Sequence, residues 1–287
     1  MDRTRRLPPA LVEHARAFLA GERTPAEPKP AATVVLLRPA VDAVPRVDGG
    51  AGVDVYLLRR HLDMPFAAGM YAFPGGTVDP RDSDRAVEWA GPSPGQWANR
   101  LACDEGQARA LVCAAVRETF EESGVLLAGP TIDTVVADTT GAEWESDRAA
   151  LVDHSLSFAE LLDRRRLVIR TDLLAAWAHW ITPEFEPRRY DTRFFVAALP
   201  AGQRARDVSG EADRVTWMRP DAAVRGVDTG DMAMLPPTYV TVQELASFGG
   251  VDEAIAAGAV RDLPIIVPGV EIVDGEGFLT VSDDVLP

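Results

Sequence analysis

The chain has 287 residues, an apolar fraction of 47% and a formal net charge of −15. That length and apolar content allow one large decorated domain with a sizeable core. So acidic a surface opposes a phosphate backbone, which argues against nucleic acid as a partner and leaves an anionic small substrate in need of a cation or of local arginines. Cys103 and Cys113 make no disulfide framework and read as small buried hydrophobes, consistent with a reducing, cytoplasmic setting. No apolar run of about 18 residues occurs, so no membrane-spanning helix is expected. The basic start is interrupted by Pro8-Pro9 and makes a poor secretory signal.

In chain order, residues 9–20 read as a short amphipathic helix, and 21–30 as a proline-rich linker. Residues 32–37 and 53–60 read as strands on either side of a glycine-rich turn at 45–52. A short third strand over 71–73 enters the turn Phe73-Pro74-Gly75-Gly76. Ser93-Pro94 starts a helix running toward Leu101. The next helix covers 105–123, with Ala110, Leu111, Ala114, Ala115 and Phe120 as its buried stripe and Gly124 as its stop. Further helices are expected at 143–154, 158–166, 237–248 and 251–257, and strands at 174–181, 192–199, 214–218, 265–267 and 278–281. The mixture predicts an α/β layered domain over 31–250. A helix and linker (1–30) precede it, and an extension packed on the same domain (251–287) follows.

The most specific chemistry lies in Arg117-Glu118-Thr119-Phe120-Glu121-Glu122-Ser123-Gly124-Val125. On a helix, Glu118, Glu121 and Glu122 fall at i, i+3 and i+4, so the three carboxylates share a face. Carboxylates so close repel, and a hard divalent cation turns that repulsion into binding. The acidic run Glu143 to Asp147 reads instead as an exposed helix start, where negative charge suits the dipole. The four histidines show no metal spacing.

The glycine turn and the acidic helix together resemble the Nudix box, Gly-x5-Glu-x7-Arg-Glu-U-x-Glu-Glu-x-Gly-U. The second half matches at Arg117, Glu118, Glu121, Glu122, Gly124 and Val125. Gly76 to Arg117 spans 41 positions where the pattern has 14, so 27 extra residues, about 83–109, split the box. Asp82 takes the place of the pattern's first glutamate, and Thr119 stands where an apolar residue is usual. A split box of this kind is similar to the coenzyme A diphosphatase subgroup, as are Trp180-Ile181-Thr182-Pro183, Pro187 to Phe195 and Leu235 to Thr238. Part of that subgroup's upstream stretch also fits, at Gly69-x3-Phe73-Pro74-Gly75-Gly76.

The resemblance implies an α/β/α sandwich with a mixed sheet, and hydrolysis of a nucleoside diphosphate linked to another group, with magnesium or manganese. Glu118 and Glu122 would be the primary ligands, Glu121 would complete the set, and a carbonyl at Gly75 would add a further oxygen. Arg117 would hold Glu121 in place. Glu211 stands where a loop glutamate serves as general base, with Asp213 as the fallback. Arg60, Arg189 and Arg193 are candidate phosphate contacts. On an alternating strand Arg189, Asp191 and Arg193 face one way, and Arg188 and Tyr190 the other. Either set has the chemistry to meet ligand or to pair with the protein's own carboxylates. Coenzyme A or acyl-coenzyme A is the expected substrate. ADP-ribose, a dinucleotide or another capped nucleotide is the alternative, and a silent nucleotide-sensing module the alternative of another class. The insert is expected to lie beside the cleft, narrowing it or joining a homodimer contact.

Overall fold

The computed structural model describes residues 6–41, 52–64, 67–84, 87–208 and 210–281. The expected turn at 45–52 lies outside these but for Gly52. Strand β1 (Lys29–Pro39) organises the molecule because both of its faces are buried. Ala32, Val34 and Leu36 enter one core, and Val35 and Leu37 the other, as a two-residue period requires. β1 pairs in parallel with β9 (Tyr190–Ala198) and antiparallel with β2 (Val53–Arg60) and β4 (Gly75–Thr77). The full order is β10 (Ala212–Met218), β2, β1, β9, β8 (Leu174–Ile181), β11 (Ile265–Ile266), with β3 (Tyr71–Ala72) on β2.

Helices cover both faces. On one lie α2 (Pro94–Leu101), α3 (Glu105–Ser123), α4 (Ala142–Val152) and α5 (Phe158–Arg165). On the other lie α6 (Pro220–Thr229), α7 (Pro236–Leu245) and α8 (Val251–Val260). The result is the expected α/β/α sandwich with a mixed sheet. The 27-residue insert does not narrow the cleft: none of its described residues lines it. Its Trp97 packs edge-on to Phe195 at 5.7 Å, and Leu101 is buried beneath α3. Its strand β5 (Trp89–Ala90) joins β7 (Val168–Arg170) and β6 (Ala128–Gly129) in a small separate sheet. Apolar side chains at these positions draw the insert into the core rather than over the substrate.

Segments near the two ends of the described residues meet. Helix α1 (Pro9–Leu19) packs on the hairpin β12 (Gly269–Val273) and β13 (Glu276–Thr280), around Leu7, Ala15 and Phe185.

Candidate active site

α3 carries the acidic side chains. It begins at Asp104, whose carboxylate accepts from the Gln107 N–H at 2.9 Å, and ends at Gly124, whose φ of 72° is a left-handed stop. The expected apolar stripe is there, but the helix is buried on nearly every side rather than along one. The acidic ridge is therefore buried as well, with Glu118, Glu121 and Glu122 each less than a tenth exposed. All three line one cleft of about 910 Å³, at the end of the sheet where β1 and β9 begin.

The glycine turn is brought to this ridge by the β1–β4 pairing, which sets Gly75 opposite Thr33 and Gly76 opposite Ala32. The Gly75 N–H donates to Glu122 Oε2 at 2.9 Å. A Cβ at Gly76 would lie 2.4 Å from Glu118 Oε1, so any side chain there would take the carboxylate's place. Close approach, not an unusual φ, is what requires glycine here.

Arg117 ties the halves of the split motif together. Its Nε donates to Asp82 Oδ1 at 3.0 Å, its Nη2 to Asp82 Oδ2 at 2.9 Å and to the Thr77 carbonyl at 2.9 Å. Nη1 donates to Glu118 Oε1 at 2.7 Å and lies 3.3 Å from Glu121 Oε1. Asp82 is fixed in turn by accepting the Asp79 N–H at 2.8 Å within a reciprocal cap of residues 79–82. The shorter acid thus still reaches the arginine in a two-pronged pair. Burial works against the Arg117 charge, and Asp82 with the Glu118 and Glu121 carboxylates outweighs it, so the guanidinium stays above its usual range. Thr119 is also accounted for: its hydroxyl donates to the Ala115 carbonyl at 2.7 Å inside the helix.

Burial, with the Glu121 charge, pushes Glu118 up to about 7 against the pull of Arg117. Burial and then the Glu118 charge push Glu122 well above the usual carboxylate range. Burial raises Glu121 too, and Arg117 opposes it. A divalent cation binding two such buried carboxyls one turn apart would displace their protons into solvent. Among the described residues, however, no three acidic, histidine or cysteine side chains converge as a cation cage. Like charges separate, with Glu118 and Glu121 turning to Arg117 and Glu122 to the Gly75 N–H. Glu118 and Glu122 still fit a hard divalent ion, which commonly takes one or two protein carboxylates and completes its coordination with water and substrate phosphates.

Glu211 precedes β10 on the cleft wall, its Oε2 3.5 Å from Arg60 Nη2. Arg60 lines the same cleft. Asp213 is held instead by Arg59, in bonds of 2.6 and 2.9 Å. The strand alternation at 188–193 holds, with the opposite face turned to the cleft. Arg188, Tyr190 and Thr192 line it. Arg189 is buried and donates to the carbonyls of Thr182 at 3.0 Å and Ala26 at 2.8 Å. Arg193 is buried against Asp191, His179 and the Leu101 carbonyl. Both are taken up by the fold and do not line the cleft. Arg188, by contrast, has no hydrogen-bond or ion-pair partner among the described residues. Two charged cleft residues escaped the sequence reading. Glu186 lies in an irregular loop, and Arg148 on α4 donates to the Glu121 carbonyl at 2.8 Å.

A mixed sheet between two helical layers, with an acidic helix and a glycine turn at one end, defines a Nudix-type hydrolase domain. The chain matches the NUDT19 Nudix domain family over residues 105–245. Acyl-coenzyme A diphosphatase NUDT19 of Xenopus laevis is 24% identical over 294 residues, covering 88% of this chain and 76% of that protein. The human protein of that name is 26% identical, over 83% of this chain and 75% of its own. A NUDIX hydrolase from Alicyclobacillus acidocaldarius has the same fold, with a TM-score of 0.68 at 24% identity over 83% of this chain and 99% of that one. Over that segment the chain is similar to the Nudix hydrolases, and the fold as a whole is theirs. The matched segment starts at α3, so Asp82 and the Gly75-Gly76 turn reach the site from outside it.

Proposed function

We propose that the protein hydrolyses the diphosphate of coenzyme A or acyl-coenzyme A, with magnesium or manganese held by Glu118 and Glu122. The observation that carries this is the pair of buried carboxylates at the turn, Glu118 against Gly76 and Glu122 on the Gly75 N–H, on the floor of a cleft large enough for an extended nucleotide. A bound divalent ion would supply charge neutralisation for the diphosphate oxygens. The chain's own residues supply the rest. Arg117, locked by Asp82, orients Glu118 and Glu121. Arg60 and Arg188 face the phosphates from the cleft wall. Glu211 takes the proton from the attacking water. The water oxygen bonds to one phosphorus, and the bridging oxygen leaves with the other. The products are 3′,5′-ADP and a phosphopantetheine or its acyl ester. The relatives named acyl-coenzyme A diphosphatase support the choice of substrate.

The test is turnover by purified protein in oxygen-18 water, with magnesium or manganese and a panel of coenzyme A, acyl-coenzyme A, ADP-ribose and a dinucleotide. The expected result is one labelled oxygen in one of the two products from the coenzyme A substrates. Cleavage of ADP-ribose or the dinucleotide alone would replace the substrate. No cleavage of any would leave a sensing module.

A further inference from the structure

The cleft does not end at the acidic helix. Phe194, Thr192 and Tyr190 step along its floor for about 13 Å. Beyond the end of β9 the lining passes to Ile181, Pro183 and Glu186, and then to Pro268 and Leu279. Those last two come from the C-terminal extension, outside the segment matched to the family. The extension is held by the N-terminus. The Leu7 N–H donates to the Gly277 carbonyl at 2.8 Å, and Arg16 Nη2 to the Gly275 carbonyl at 2.9 Å. Leu279 packs in the same small core as Leu7 and Phe185, and Phe185 belongs to the loop that carries Pro183 and Glu186. α1, the hairpin and this loop are therefore one packed unit, and one of its surfaces is cleft wall.

We propose that this unit of α1 and the β12–β13 hairpin forms an outer subsite in which Ile181, Pro183, Pro268 and Leu279 receive the uncharged acyl-pantetheine arm of the substrate. The inference rests on the coenzyme A reading of the inner site. Its chemistry differs from that of the inner end. Four apolar side chains there offer no donor to a phosphate but cover methylene groups well. Of the charged side chains at this end, Glu186 is half-buried, and burial alone raises its carboxyl to about 7. A carboxyl shifted toward its neutral form by burial repels an uncharged amide or thioester less than it would an anion. Arg188, at the junction, faces the diphosphate side.

Each methylene buried is worth a factor of roughly four in affinity. In the full-length protein, kcat/KM should therefore rise with acyl length from acetyl- to dodecanoyl-coenzyme A until the arm fills the subsite. Leu279→Lys should lower the ratio of dodecanoyl-coenzyme A to ADP-ribose kcat/KM by about tenfold. Ile181→Lys, on the strand side of the same wall, should do likewise without touching the terminal unit. Dodecanoyl-pantetheine, which lacks a diphosphate, should inhibit the unsubstituted protein and inhibit both variants about tenfold less. If coenzyme A esters are cleaved but neither substitution moves the ratio or the inhibition, the subsite is wrong and the inner-site reading stands. If only arm-free diphosphates are cleaved, both fall.

Discussion

At its inner end the cleft is walled by buried charge, and at its outer end by apolar packing between chain termini. Inside, Asp82, Glu118 and Glu121 all accept from the one buried Arg117 guanidinium, so a change at one alters the charge balance of the others. Outside, Leu279, Leu7 and Phe185 make non-directional apolar contacts with no charge to leave unpaired. On the proposed reading, the reaction chemistry rests on the charged network and the choice of substituent on a wall built from sequence-remote segments.

Four experiments would break or sharpen that contrast, in falling order of expected effect. Glu122→Gln should lower kcat by roughly 10³-fold in a diphosphate hydrolysis assay, since cation-borne charge stabilisation is worth several kcal/mol. A variant with unaltered kcat would remove Glu122 from the site. Asp82→Ala takes the two-pronged partner from Arg117, which keeps Glu118, Glu121 and the Thr77 carbonyl, and should cost about 1.5–3 kcal/mol in urea unfolding. A loss below 1 kcal/mol, on the same scale, would mean that Asp82 is not its essential partner. Arg188→Ala should raise KM about tenfold with an unchanged unfolding midpoint, as for one charged bond to a phosphate. Arg189→Ala should do the reverse, losing about 1–3 kcal/mol of stability at constant KM. If the two variants exchange phenotypes, the face assigned to the cleft is inverted.

The smallest effect concerns pH. The Glu186 carboxyl is raised from 4.5 to about 7 by burial, so the folded state binds more protons than the unfolded one between those values. Its influence is fully favourable below pH 4.5 and is lost as pH rises through about 7. Glu186→Gln should flatten the decline in unfolding midpoint over that window. An identical pH profile in both proteins would place Glu186 in solvent.

Much of the inner end is legible in the sequence, because its signals are local. Asp104 and Gly124 bracket α3, and the spacing of Glu118, Glu121 and Glu122 fixes one ridge. The strands at 53–60 and 174–181 are long apolar runs and form as expected. Where the signal is not local, the reading fails for identifiable reasons. A two-residue period separates Arg188 from Arg189 but does not say which face is open, because that depends on neighbouring strands and loops. Strands β5, β6 and β7, two or three residues long, are too short to show a period. Helix α6 begins at Pro220 and carries only Pro220, Ala223 and Val227 into the core, a weak stripe. The insert's helix is legible from Ser93-Pro94, but its place in the core is not, because only the tertiary fold brings Trp97 to Phe195. The meeting of Leu7 with Gly277 has no trace in either segment alone.

The pairing of Glu118 with Glu122 as a divalent-ion site is tested most directly by titrating manganese into the protein and following free ion by electron paramagnetic resonance. The unsubstituted chain should bind the ion in the presence of a non-hydrolysable diphosphate analogue. Glu118→Gln and Glu122→Gln should each weaken that binding tenfold or more, to roughly the loss of one ligand. Equal affinity in all three proteins would contradict the assignment.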